Sequence, residues 1–299
     1  MREIVVLSGK GGTGKTSLTA AFAHLASDHV ICDLDVDAPD LHLVLQPDGL
    51  KREAFISGHE AVIRPEDCER CGACLEVCRF DAIAGEDPPA INLLKCEGCK
   101  LCVALCPSKA IDFRPKHCGD WYRSNCRFGP MVHAQLFPAE ENSGRLVALL
   151  RQQARAMAEA QGLDLILSDG PPGIGCPAIS ALSGTDLAVI VTEPTVSGRH
   201  DLERVLELCR HFNIPAGVII NKCDLNQDQA KGIKQYCLDN DLPLIGVLPH
   251  DTAFTEAMIR GLSITEYCID GIRQAVEKAW NNIVQLAAPQ IPAEKAACG

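Results

Sequence analysis

The stretch Gly9-Lys10-Gly11-Gly12-Thr13-Gly14-Lys15-Thr16-Ser17 carries the spacing G-x-x-x-x-G-K-[ST], met at Gly9, Gly14, Lys15 and Thr16. Glycines so spaced leave backbone N–H groups free to point at phosphate oxygens, and a helix beginning there adds partial positive charge. Lys15 is then the side chain that reaches the β- and γ-phosphates, and the Thr16 hydroxyl the one that ligates Mg²⁺. A second chemistry follows. The spacing C-x₂-C-x₂-C-x₃-C occurs twice, at Cys68, Cys71, Cys74 and Cys78 and again at Cys96, Cys99, Cys102 and Cys106, offset by 28 residues. Short spacers let one loop wrap three corners of an iron–sulfur cubane while a fourth thiolate comes from the other half. Two tetrahedral zinc sites are the alternative, but zinc knuckles usually pair C-x₂-C motifs across a long gap.

A phosphate loop needs a strand before it and a helix after it. Residues 3–8 supply a short apolar strand, and an Ala/Leu-rich helix runs to about residue 27. A second strand ends in the carboxylates of Asp33, Asp35 and Asp37. Between residues 64 and 115 the pattern breaks into short pieces with clustered cysteines, prolines at 65, 88, 89, 107 and 115, and no long helical period. Helical spacing resumes with Leu146, Leu149, Leu150 and Ala154, and strands apolar throughout then alternate with helices. That order implies a parallel sheet covered on both faces. The reading is one α/β domain in two parts, residues 1–63 and 116–290, split by an insert at 64–115 and followed by a flexible tail at 291–299.

Composition narrows the classes. A net charge of −11 disfavours a sequence-independent grip on nucleic acid, which needs a basic surface. No apolar run approaches the ~18 residues of a membrane span, and the N-terminal apolar stretch reads as a strand, not a leader. The expectation is a cytoplasmic protein without a stable membrane anchor. There, 17 cysteines point to metal ligation or redox chemistry over a disulfide framework.

With Lys10 early in the loop, "KGGTGKT" resembles the deviant Walker A motif of the MinD/ParA/Mrp superfamily of P-loop ATPases, which includes the nitrogenase iron protein and ATPases like cobyrinic acid a,c-diamide synthase. "DLDVDAP" resembles switch I, "LILSDGPPGIG" Walker B with switch II, and "INKCD" with "GVLPHD" the base-binding elements. The resemblance implies a nucleotide site built from Gly9, Gly11, Gly12, Thr13, Gly14, Lys15, Thr16, Ser17, Gly173, Asn221, Lys222 and Pro249. It implies that Asp35 orients the attacking water, Asp169 lies near Mg²⁺, and Lys10 reaches the nucleotide of a second subunit. "NKCD" also fits the guanine reader of GTPases; the loop and switches favour ATP.

The cysteine spacing is that of bacterial ferredoxins, in which the fourth cysteine of each run serves the other cluster. One [4Fe–4S] cluster would take Cys68, Cys71, Cys74 and Cys106, the other Cys96, Cys99, Cys102 and Cys78. Pro107 follows Cys106 as in that pattern, but Arg79 follows Cys78. The whole chain resembles MinD-superfamily ATPases containing an inserted two-[4Fe–4S] ferredoxin domain. The implied fold is α/β, a parallel-sheet, MinD-like P-loop NTPase with an α+β ferredoxin-like insert.

The function so implied is MgATP hydrolysis coupled to electron transfer through two clusters to a redox partner protein. The ATPase would work as a homodimer, or as a heterodimer with a related ATPase, closed across the nucleotide. Two alternatives are an iron–sulfur carrier or assembly factor, and a positioning ATPase whose clusters sense redox state or staple the fold. Cys176, seven residues after Asp169, matches a cluster-holding cysteine of the nitrogenase iron protein, and a small buried thiol is the plainer expectation. Cys118 and Cys126 are expected as ordinary thiols in a hinge, His133 as a packed loop histidine, and Cys32, Cys209, Cys223, Cys237 and Cys268 as core residues. Cys298 is expected in the disordered tail.

Overall fold

In a computed structural model that describes residues 1–85, 87–141 and 144–288, the alternating half of the sequence becomes a parallel sheet. The tail 291–299, with Cys298, lies outside the described residues. The elements in chain order are β1 (Arg2–Ser8), α1 (Lys15–Leu25), β2 (His29–Asp33), α2 (Leu41–Leu45), β3 (Asp48–Ile63), α3 (Ala73–Val77), β4 (Ile83–Ala84), β5 (Ala90–Ile91), α4 (Leu101–Leu105), β6 (Ile111–Cys126) and β7 (Gly129–Leu136). Then come α5 (Arg145–Gln161), β8 (Leu165–Pro172), α6 (Cys176–Leu182), β9 (Leu187–Thr192), α7 (Val196–His211), β10 (Ala216–Ile220), α8 (Gln227–Asp239), β11 (Leu244–Val247), α9 (Ala253–Ile259), α10 (Ile264–Tyr267) and α11 (Gly271–Leu286).

The strand order is β11-β10-β9-β1-β8-β2-β7-β6-β3. Strand β1 pairs in parallel with β8 on one side and β9 on the other, and β2 pairs in parallel with β8. Every residue of β2 and β9 is buried, which is why these strands read as unbroken apolar runs. Parallel register matters for the chemistry: Asp33 at the end of β2 stands directly opposite Asp169 in β8. Helix α1 is packed from behind by α11, where Phe22 stacks on Trp280 with ring centroids 5.6 Å apart.

The chain divides into two units. The first holds residues 1–52, 121–135 and 142–299, and the second 53–120 and 136–141. The second is wider than the expected 64–115, because it takes in much of β3 and β6. Both are 16-residue strands that the sequence reading did not name, and Cys118 and Cys126 lie on β6 instead of in a hinge. The reason is periodicity: most of β3 is solvent-exposed and β6 buries Asp120 and Ser124, so neither shows the apolar alternation of a half-buried strand. In the second unit β4 and β5 form a two-stranded antiparallel ladder beside the short helices α3 and α4.

Candidate functional site

The loop after β1 is held by glycine geometry. Gly14 has φ +90° and its α-carbon faces the Asn221 amide, so a side chain there would be strained and would collide with Asn221. Loop and neighbours enclose a cavity of about 410 Å³, lined by Gly11 to Ser17, Asp35, Asn221, Lys222, Pro249 and Phe254 among others. That volume falls within the range of small-ligand sites, ~300–1,000 Å³.

Charge is concentrated at its floor. The Lys15 ammonium lies 2.9 Å from Asp169 Oδ1 and 3.3 Å from Asp35 Oδ2. Thr16 donates to Asp169 Oδ2 at 2.7 Å, and Thr19, one turn on, donates to Oδ1 at 2.9 Å. Burial opposes the charge on Lys15, but Asp169 and then Asp35 outweigh it and hold its pKa above the ordinary lysine value. Asp33 and Asp35 are both pushed above the ordinary carboxylate range, first by burial, against the pull of Lys15. The Asp35 N–H donates to Asp33 Oδ1 at 3.2 Å, while Asp37 is exposed. Thr13 Oγ1, Asp33 Oδ2 and Asn221 Oδ1 are buried without a hydrogen-bond partner. Such orphans cost stability unless a ligand answers them; Thr13 and Asn221 line the cavity beside the Lys15 and Lys222 ammonium groups and the Thr16 and Ser17 hydroxyls. The residues fit MgATP.

On the base side, Asn221 Nδ2 donates to the Thr13 carbonyl at 2.8 Å and the Lys222 ammonium to the Gly12 carbonyl at 2.7 Å. Asp224 accepts the His250 N–H at 2.6 Å, and this backbone bond holds its carboxyl below the usual range. It thus anchors the loop through Pro249. The Gly173 N–H donates to the Ser8 carbonyl at 2.8 Å, joining switch II to the base of the phosphate loop. Lys10 is directed elsewhere, to Glu193 at 2.5 Å. Sequence reasoning missed Thr19, Glu193 and Asp224 as partners. Thr19 left a signal, standing three residues after Thr16 on one helix face, and Asp224 closes the NKCD motif; Glu193 left none.

In the second unit the two cysteine runs adopt matching backbones. Arg70 and Gly98 have φ +57° and +60°, Gly72 and Lys100 +75° and +68°, Asp81 and Lys109 +48° and +54°. Each pair is separated by the 28-residue offset. Gly98 could not be replaced without moving the chain, since a β-carbon would overlap the His59 carbonyl. One cavity is lined by Cys68, Cys71, Cys74 and Cys106, and another by Cys78, Cys96, Cys99 and Cys102. Burial raises the thiol pKa of Cys74 and of its counterpart Cys102. Cys106 Sγ accepts the Ala110 N–H at 3.3 Å. Among the described residues, no three His, Cys, Asp or Glu side chains converge to hold a single metal ion.

Of the remaining residues, Cys32, Cys209, Cys237 and Cys268 are buried and Cys223 half-buried. Cys176 is exposed at the start of α6, not the buried thiol expected, because α6 turns that first residue away from the sheet. His133 sits on β7, not in a loop, buried between Tyr122 and His42 with centroids at 4.9 and 5.8 Å. No helix among the described residues is long and apolar enough to cross a membrane.

Comparison with known proteins gives the following. The family described as CobQ/CobB/MinD/ParA nucleotide binding domain matches residues 4–264. An uncharacterized protein of Methanocaldococcus jannaschii is 36% identical over 227 residues, 75% of this chain and 79% of that protein. Hydrogenase-4 component A of Escherichia coli is 31% identical over 137 residues, 42% of this chain and 64% of its own. Among solved structures, the septum site-determining protein MinD from Pyrococcus horikoshii OT3, complexed with Mg-ADP, superposes with a TM-score of 0.56 at 19% identity, covering 97% of this chain and 99% of that one.

Proposed function

The chain belongs to the CobQ/CobB/MinD/ParA nucleotide-binding family, and from that premise we propose that it is an ATP-driven dimerising switch carrying two [4Fe–4S] clusters in its second unit. It is a P-loop ATPase. The observation that carries the reading is the convergence of Lys15, Thr16 and Asp35 on one cavity, with buried Asp169 bonded to both Lys15 and Thr16. Thr16 and Asp169 would hold Mg²⁺, which when bound neutralises phosphate charge. Lys15 would exchange its carboxylate partners for the β- and γ-phosphates. Asp35, freed of Lys15, would accept a hydrogen bond from the attacking water and orient it in line. Lys10 would complete the charge neutralisation from the second protomer. The engagement of Asp224 with the His250 amide favours adenine over guanine, since the carboxylate a guanine reader needs is already bonded to the loop.

Similarity to septum site-determining MinD proteins favours the positioning reading, in which ATP would close a dimer and hydrolysis would open it. The iron–sulfur part rests on the cysteine spacing and on the crossed grouping of eight cysteines into two cavities. A single zinc would need four sulfurs at about 2.3 Å from one point, whereas a cubane spreads its ligands over four corners. The second reading, electron transfer to a redox partner gated by nucleotide, draws on the same cysteine grouping.

Anaerobic reconstitution with measured ATPase rate and cluster spectra tests both. Lys15→Ala is expected to lose at least ~100-fold of hydrolysis while keeping about eight iron atoms per chain. An iron content near zero in active protein would remove the clusters from the reading. MgATP that shifts the cluster potentials would select electron transfer, and unchanged potentials the positioning cycle.

A further inference from the structure

Lys10 does not line the nucleotide cavity. Its ammonium lies 2.5 Å from Glu193 Oε1, at the end of β9, and 3.3 and 3.2 Å from the hydroxyls of Thr195 and Ser197. The other Glu193 oxygen, Oε2, is 3.4 Å from the Lys222 ammonium, which also holds the Gly12 carbonyl. One carboxylate therefore joins two lysines on either flank of the phosphate loop, and three acceptors surround Lys10 on its own protomer. Burial works against the Glu193 charge, yet Lys10 and Lys222 keep its pKa below the ordinary glutamate value, so it is ionised at neutral pH.

We propose that Glu193 is the positioning residue for Lys10, holding it on its own protomer until the phosphates of a second copy's nucleotide take its place. The proposal rests on the reading that Lys10 acts across a dimer. An ammonium with three local acceptors leaves them only for a stronger anion, and a nucleoside triphosphate of a facing protomer supplies one. Closure then costs an ion pair, so protomers without triphosphate stay apart. The side chains are partly exposed, at 31% for Lys10 and 15% for Glu193, so the restraint is a weak one that a triphosphate overcomes.

The test is self-association of the full chain with Mg²⁺ and a non-hydrolysable ATP analogue, followed by sedimentation. Glu193→Gln keeps the shape and removes the charge, and is expected to lower the concentration of half-assembly on the order of fivefold. The effect should vanish in a Lys10→Ala background. Ser197→Ala, which removes an exposed acceptor, should move the value in the same direction by less, and stands in if Glu193→Gln fails to fold. A merely structural Glu193 would alter thermal stability and leave half-assembly unchanged. Half-assembly unchanged in both variants, with Lys10→Ala abolishing assembly, overturns the restraint and leaves the trans role intact. A Glu193→Gln effect that persists without Lys10 overturns it too. Wild-type hydrolysis per chain that is independent of protein concentration overturns the trans reading and the restraint with it.

Discussion

Asp169 carries more of the site than its position in a glycine-rich stretch suggests, since three side chains of α1 bind its two oxygens. Thr19→Val removes one of these bonds while keeping the shape. It is expected to destabilise the chain by about 1–2 kcal/mol in urea unfolding, the cost of a buried acceptor losing a donor. Buried histidines contribute to the acid sensitivity, His133 among them. The His133 ring is held neutral by burial, with His42 adding repulsion, and its pKa falls to about 4. The folded pKa is below the unfolded value of about 6.5. Its stabilising contribution is therefore complete above about 6.5 and is lost as pH falls toward 4, where the unfolded chain binds the extra proton. His133→Phe, stacking on Tyr122 without a titrating nitrogen, is expected to flatten the fall of unfolding free energy between pH 6.5 and 4.5. His29, lowered to about 4 mainly by burial, keeps a parallel slope in that variant.

At the scale of elements, Arg127 in the turn between β6 and β7 does work that no motif announces. Its guanidinium holds the carbonyls of Val44 and Leu45 at the end of α2, the carbonyl of Gly261, and both Glu266 oxygens at 2.7 Å. The helix following switch I is thereby tied to α10. Only a planar fork with five donors can make this set, so Arg127→Lys is expected to lose nearly as much as Arg127→Ala, about 2–3 kcal/mol in urea unfolding. Recovery of stability in the lysine variant would show that charge alone matters. The cysteine loops allow the opposite kind of change. Arg70 holds a left-handed backbone that glycine adopts freely, and its ion pair with Asp87 is exposed. Arg70→Gly is expected to change thermal stability by less than about 1 kcal/mol, strain relief offsetting chain entropy.

Across the whole molecule, the division into two compact units predicts separable unfolding. MgATP at ~100 times its Kd is expected to stabilise the first unit by about 2.7 kcal/mol. On the proposal that the second unit holds two clusters, iron chelation is expected to remove its transition and leave that nucleotide-dependent shift in place. A single transition responding to both would refute this. Much of this division was legible in the sequence because its signals are local: the phosphate loop spans nine residues and each cysteine run eleven. Asp35 and Asp169 were named because apolar runs lead into them, and both lie within 3.3 Å of the Lys15 ammonium. Thr19 with Asp169 and Arg127 with Glu266 were not, since their partners lie 150 and 139 residues away. Strands β3 and β6 escaped notice because their faces are polar. One further thing is written in the backbone of the second unit. Three left-handed positions recur after 28 residues with φ values within ten degrees, although their side chains differ at every one. The repeated spacing and backbone fit a duplication in which the cysteines and the turns between them were kept while the turn residues changed. If each copy lends its last thiolate to the other, neither half could have been discarded once the exchange began, and the duplication became irreversible.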